Sequence, residues 1–443
     1  MRARGKRFIN GFLIVLLLAG FAGACKKSSA PRSVAPGPAL AMPEPAPPER
    51  KLPPLPTRAL SPRLRAMRER AMETAAEKRG LVWLGEVGMT ELSGWEYGAR
   101  TKELADVIGT EDLTGLGRLG VAGGMLPEGT DLAALAVSFT ALSAGATYSP
   151  LDKQVLLVSD DPKGGGFRNG ALLAHEFVHA LQDQHFDLMK MLLARPFNFD
   201  RTEALFAVVE GDATAVERRV QQGDSWARKA LEEIARAEDA RFAPYRGGIG
   251  ALFPPLLTET FIFRYRDGVR FVETVRRARP EGGLDELFRR PPQSSEQVLH
   301  PEKYFSGEAP RDVQLDVRAF EERGWRMTAS TPLGEVGVRG LLMAGVAAEE
   351  ARRAAAGWGG DRAFVFEREG KPALFVWKTV WDKPSDAREF FRAYGALKGG
   401  ARQDGPAAAW PEGALQTRVV IEGDAVTVLR GAASDLDEAL GLS

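Results

Sequence analysis

The sequence predicts an α+β protein: a small sheet with a buried helix, a helical second half, and then a smaller α+β unit. Three observations predict it. Two short strand-like runs, residues 146–148 and 154–159, stand ahead of an apolar helical pattern that begins near Ala171. Helical periodicity then continues from Asp200 to about residue 305. Beyond Arg362 the pattern runs strand, strand, helix, strand, strand, helix, which suits a small α+β unit.

The chain opens on Arg2, Arg4, Lys6 and Arg7, followed by an apolar run from Phe8 to Ala24. That order reads as a secretory signal. Ala22-Gly23-Ala24 before Cys25 resembles a bacterial lipobox, so residues 1–25 are expected to be a lipoprotein signal with Cys25 as the lipidation site. Acyl chains on Cys25 would hold the protein to a membrane on the extracytoplasmic side of a bacterial envelope. An ordinary cleaved signal or an uncleaved anchor is the alternative. Cys25 is the only cysteine, which excludes an intramolecular disulfide. Residues 26–57 are rich in proline, from Pro31 to Pro56, and read as an extended tether. The remaining length exceeds a single domain, and the expected units are 58–325 and 326–443.

Along the first unit, Ser61-Pro62 opens a helix that Gly80 closes, with proline at the favoured first position. Residues 81–87 read as a strand, 90–119 as partly helical, and 132–142 as an apolar helix. The runs at 146–148 and 154–159, joined by Ser149-Pro150-Leu151-Asp152, read as a hairpin. Gly164-Gly165-Gly166 reads as a flexible turn; a phosphate loop would need Lys and Ser or Thr after it.

The next helix carries the chemistry. Residues 175–185 read HEFVHALQDQH and hold three of the four histidines in the chain. His175, Glu176 and His179 form H-E-x-x-H. On a helix, His175 and His179 lie about 40° apart on one face, and Glu176 stands about 100° round from His175. Two imidazoles aimed at one point, with a carboxylate at its rim, suit a catalytic zinc ion: two ligands and a base for the water that zinc activates. A surface or hydrogen-bonded core pair of histidines is the plain alternative. The apolar flanks Ala171–Ala174, Phe177, Val178, Ala180 and Leu181 argue against it, because buried imidazoles and a buried Glu176 need partners.

The third ligand has two candidates. His185 completes a spacing that superficially matches metzincins, but Gln182 stands where their turn requires glycine, and on a continuing helix His185 points away from the metal. Glu210 lies on a later helix that opens with Asp200 as N-cap and Glu203 three residues on, and stops at Gly223. Glu210 shares a stripe with the small residues Ala207, Ala213 and Thr214, and Gly211 is costly in a helix unless a close approach demands it. That approach is expected to be to the His175 helix. Glu210 is the favoured ligand; Glu203 and Asp187 are further acids within reach.

These residues resemble the gluzincin class of zinc metallopeptidases, in which a Glu on a later helix, often in a Glu-Gly context, completes the H-E-x-x-H site. A closer resemblance is to a group of uncharacterised bacterial extracytoplasmic proteins, carried by HEFVHALQDQHFDL at 175–188, VEGDAT at 209–214, PPQSSEQVLHPEKY at 291–304 and GWGGDR at 357–362. Ser295 stands where that pattern has Thr. The resemblance implies a zincin-like domain over 58–325, one Zn2+ held by His175, His179 and Glu210, and an edge strand of the 146–159 hairpin that binds substrate backbone.

The fourth histidine, His300, precedes Pro301 and is expected on a loop or turn. It serves either to stabilise the oxyanion beside Glu176 or as a structural histidine. Basic and acidic residues balance at 59 each, and no basic block is interleaved with aromatics, so nucleic acid is not an expected partner. The expected function is zinc-dependent peptide hydrolysis by a membrane-tethered protein acting on a peptide or protein substrate. The alternative is a non-catalytic envelope lipoprotein with a structural or vestigial zinc site.

Overall fold

The computed structural model describes residues 52–143, 145–159, 169–193, 197–400 and 405–442. The signal, Cys25, the tether up to residue 51 and the Gly164-Gly165-Gly166 turn lie outside the described residues. No helix among the described residues is long and apolar enough to cross a membrane.

The protein is α+β. Helix α1 (Pro62–Arg79) is capped by the Ser61 side chain and closed by Gly80 in the left-handed region. The strand expected over 81–87 forms instead over β1 (Gly88–Leu92). Leu81 and Val87 are still buried while Val82 and Leu84 point out, so the apolar residues of 81–87 pack without joining a ladder. Helices α2 (Gly94–Ile108), α3 (Glu111–Ala122) and α4 (Leu132–Ser143) lead to β2 (Ala146–Ser149) and β3 (Gln154–Val158). These strands form an antiparallel hairpin, and β1 joins β3 in parallel, giving the order β1-β3-β2.

Helix α5 (Gly170–Phe186) is capped by Asn169 and carries the H-E-x-x-H motif. Helix α6 (Phe199–Gln222) follows. Its N-cap is Asn198, not Asp200, because the Asn198 side chain accepts the Arg201 N–H. Asp200 is turned inward, where it accepts the backbone N–H and hydroxyl of Ser295. Helices α7 (Leu231–Arg246) and α8 (Pro255–Ala278) complete the helical half, and α8 packs along α6. Leu173, Phe177, Leu181, Phe206, Val209 and Phe271 are among the buried residues of the core that joins α1, α5, α6 and α8.

The tail contains the six elements expected from the sequence, with further ones between them. Strands β4 (Arg326–Thr331), β5 (Trp358–Glu367), β6 (Leu374–Trp381), β7 (Ala407–Glu412), β8 (Leu415–Glu422) and β9 (Ala425–Gly431) form one antiparallel sheet, ordered β4-β5-β6-β9-β8-β7. Helix α9 (Gly334–Leu342) leaves β4 to pack on α8, and α10 (Pro384–Leu397) lies against β6. The tail was expected to stand apart. Instead Leu113, Phe261, Tyr265, Leu333, Trp377 and Phe390 belong to one continuous buried core, so the sheet and the helical half share an interior.

Candidate metal centre

Helix α5 runs unbroken through Gln182 to Phe186, so residues four apart stay on one face. His175 and His179 bring their Nε2 atoms to 3.0 Å. Helix α6 crosses this face and sets Glu210 Oε2 at 3.3 Å from His175 Nε2 and 3.7 Å from His179 Nε2. Ligands about 2.0–2.1 Å from a tetrahedral zinc stand roughly 3.3–3.4 Å from each other, and the three separations bracket that value. Glu210 is fully buried, and neither of its oxygens has a hydrogen-bond partner. An orphaned, buried carboxylate facing two imidazoles fits a bound cation.

The outer nitrogens fix the rings. Gln182 Nε2 donates to Val209 O at 3.1 Å and Asp212 Oδ2 at 3.0 Å, which leaves its Oε1 to accept from His179 Nδ1 at 2.9 Å. Arg79, the last residue of α1, holds Asp212 in turn at 2.5 Å. His175 Nδ1 faces Glu217 Oε2 at 3.5 Å. These outer acceptors suit an Nδ1–H on each ring, the tautomer that would turn both Nε2 lone pairs toward a bound ion.

The charges agree. Burial alone would push His175 down, but Glu210 and Glu217 more than offset this and raise it to about 10. Burial, together with the charge on His175, pushes His179 well down. Burial and the Glu210 carboxylate lift Glu176 to about 8, against the pull of His175 and the Tyr148 N–H.

Glu176 Oε2 accepts the Tyr148 backbone N–H of β2 at 2.8 Å, while Oε1 has no partner. Strand β2 is an edge strand with all four residues buried. Tyr265 of α8 is a further group at the site that the sequence did not single out. Burial and then the charges of Glu210 and Glu176 raise its hydroxyl far above the ordinary tyrosine range. Tyr265 sits among Phe261, Ile262 and Phe263, and in the sequence it reads only as core. Gln182, Asp212 and Glu217 carry no sequence signal of their own either, although Asp212 lies inside the EGDA run. His175, Glu176, His179 and Glu210 have no exposed surface among the described residues.

The other candidates are elsewhere. His185 Nε2 bonds Val82 O at 2.7 Å. Glu203 pairs with Arg264, and Asp187 caps the short helix that begins at Leu188. His300 does not join the metal group, which corrects the role expected for it beside Glu176. Its ring is held by Glu335 at 3.0 Å and faces Glu302, where Glu335 more than offsets the effect of burial and raises its pKa. His300 lies with Ser295 and Asp200 near the start of α6, and Asp200 stands about 15 Å along the axis from Glu210. A second acid group, Glu296, Glu308 and Asp382, is gathered by Lys303 Nζ at 2.7–2.8 Å and needs no ion.

Two of the sequence runs that accompany the histidine motif build the junction between the helical half and the sheet. Ser295 ties Asp200 to the start of α9, where the Val336 N–H donates to its hydroxyl. Asp361 accepts from the backbone of Leu333 and Gly334 and from the indoles of Trp358 and Trp377.

Residues 322–440 match a family model described as a domain of unknown function, DUF8575. The matched segment covers the six-stranded sheet and stops short of the metal centre. No curated protein and no solved structure matches the chain.

Proposed function

We propose that this protein is a zinc-dependent metallopeptidase of the gluzincin type, with a zincin-like body tethered through Cys25 to a bacterial membrane on its extracytoplasmic side. The observation that carries this reading is Glu210: a buried carboxylate without a hydrogen bond, 3.3 and 3.7 Å from the paired Nε2 atoms. His175, His179 and Glu210 would hold the ion. Zinc, when bound, would supply Lewis acidity and would make water a nucleophile near neutral pH.

The chain's own groups do the rest. Glu176 is anchored at Oε2 by the Tyr148 N–H and has Oε1 free of other partners. It takes the proton of the attacking water and passes it to the leaving amine. Tyr265 supplies a hydroxyl donor for the developing oxyanion, the part first given to His300. Gln182 and Glu217 keep the rings in the ligating tautomer.

The test pairs metal analysis of the purified protein with a peptide-library assay on wild type and Glu176→Gln. Bound zinc with cleavage by wild type alone supports the reading. Cleavage retained in Glu176→Gln overturns the mechanism.

One observation favours a second reading. The four central groups are wholly buried among the described residues, which suits an ion that holds the fold together more than one that meets a substrate. On that reading the protein is a non-catalytic envelope lipoprotein, and it would bind zinc without cleaving any member of the library.

A further inference from the structure

Arg79 ends α1 and continues the buried stripe of Leu64, Ala71 and Ala75 on that helix. Helix α1 packs on α5, and the last member of its stripe is a cation. A buried arginine is costly unless it is paired. Arg79 has two carboxylates: its Nε donates to Asp212 Oδ2 at 2.5 Å and its Nη2 to Asp285 Oδ1 at 3.0 Å. The guanidinium also lies 5.7 Å over the Phe288 ring. The two acids differ in setting. Asp285, on the short helix Gly283–Arg289, is partly exposed, whereas Asp212 is buried on α6 two residues after Glu210.

Asp212 Oδ2 takes a second donor, Gln182 Nε2, at 3.0 Å. An amide side chain can present either end to a neighbour. On one side Gln182 meets Val209 O and Asp212 Oδ2, and a carbonyl and a carboxylate only accept. The amide nitrogen is committed to them, which leaves Oε1 for His179 Nδ1 at 2.9 Å. The chain Arg79, Asp212, Gln182, His179 is continuous, and every member is buried. His175 is backed by a shorter version of the same pair. Glu217 Oε2 faces its Nδ1 at 3.5 Å, and Arg218 Nη1 lies 3.0 Å from that oxygen. Each ring has an acid and an arginine behind it; on His179 the Gln182 amide stands between.

We propose that Arg79 is a positioning residue of the metal centre: by holding Asp212 it fixes the Gln182 amide, and through that amide the direction in which the His179 ring offers Nε2. The proposal rests on the zinc-binding part of the reading above and not on peptide cleavage. It makes α1, the first helix among the described residues, a working part of a site whose ligands lie on α5 and α6. Groups behind metal-bound imidazoles set ring orientation, so their loss is felt as metal affinity and ligand geometry.

The experiment titrates full-length wild type, Arg79→Met, Arg79→Lys, Gln182→Met and the Arg79→Met, Gln182→Met double variant with zinc against a chelator. The visible absorption of each is also recorded after loading with cobalt(II), whose bands follow the arrangement of the ligands. Arg79→Met is expected to weaken zinc about 10–100-fold and to alter the cobalt bands. Arg79→Lys returns a cation to Asp212 without the guanidinium fork and should recover part of that affinity. The double variant should lose less than the two single losses multiplied together, because both substitutions break one chain of contacts. If Arg79→Met does not fold, Arg79→Lys replaces it in the cycle, with a smaller loss of the same kind. Wild-type affinity and cobalt bands in the Arg79 variant, or single losses that multiply in full, overturn the proposal and leave the metal reading in place. Wild type that takes up no zinc overturns both.

Discussion

Gly211 of α6 and Gly268 of α8 meet backbone to backbone. A Cβ on Gly211 would stand 2.4 Å from the carbonyl carbon of Gly268, and one on Gly268 would stand 2.3 Å from Ala207 O. Gly211 permits a close approach, but to α8 and not to the His175 helix as the sequence suggested. The contact presses α8, with Tyr265, against the turn of α6 that presents Glu210. Gly211→Ala and Gly268→Ala should each destabilise the fold by about 1–3 kcal/mol, as overpacking does, and should weaken zinc binding by moving Glu210. Urea unfolding and zinc titration check this; a variant with unchanged midpoint and affinity would show that the contact is slack.

On the peptidase reading, Glu176→Gln keeps the proposed ligand set and removes the proposed base. The expected outcome is wild-type zinc content with peptide hydrolysis lowered by about 10²–10⁴-fold, the usual share of general acid–base catalysis. Metal analysis and single-turnover rates provide the measurement.

Glu217→Gln tests the outer support of His175. Its Oε2 faces Nδ1 at 3.5 Å, and burial alone would raise it, but Arg218 and His175 hold it down at about 2. Loss of that carboxylate should weaken zinc about 10–100-fold, as for outer partners of metal-bound histidines. Competition with a chelator measures the change, and an affinity equal to wild type would exclude the role.

Asp200 gives a pH signature away from the metal. Burial raises it to about 8, against two hydrogen bonds from Ser295 and with help from the charges of Asp361 and Glu296. The ordinary value is 3.8, so between about pH 4 and 8 the folded chain holds a proton that the unfolded chain releases. Its contribution is therefore complete below about pH 4 and is lost as pH rises to 8. Asp200→Asn should gain on wild type in stability steadily across that window. Denaturant unfolding at several pH values measures the difference, and parallel curves would contradict it.

Asp361 accepts four donors, two from backbone and two from indoles, at the seam between sheet and helices. Asp361→Asn turns an amide toward donors that need an acceptor and should cost about 3 kcal/mol. A change below about 0.5 kcal/mol in the unfolding free energy would mean the seam does not depend on this residue.

The α+β class, the hairpin before α5, a helix through Glu210 and its stop at Gly223 could be read from the chain, though its cap proved to be Asn198 and not Asp200. Each rests on local rules: alternation, periodicity and caps. The meeting of His175 with His179 is local too, because one helical turn sets it. The arrival of Glu210 was legible only through its small, glycine-bearing neighbours. Which helix Gly211 touches, that Gln182 and Glu217 orient the rings, that Tyr265 faces the carboxylates, and that His300 belongs with Glu335 were decided by the packing of α6 against α5 and α8 and by the junction with the sheet. Those relations join residues far apart in the chain, and spacing along one strand of sequence does not encode the crossing of two helices. The sequence determined which groups can ligate a metal; the tertiary fold decided which of them meet, because burial without a partner is tolerated only where a third body fills the gap.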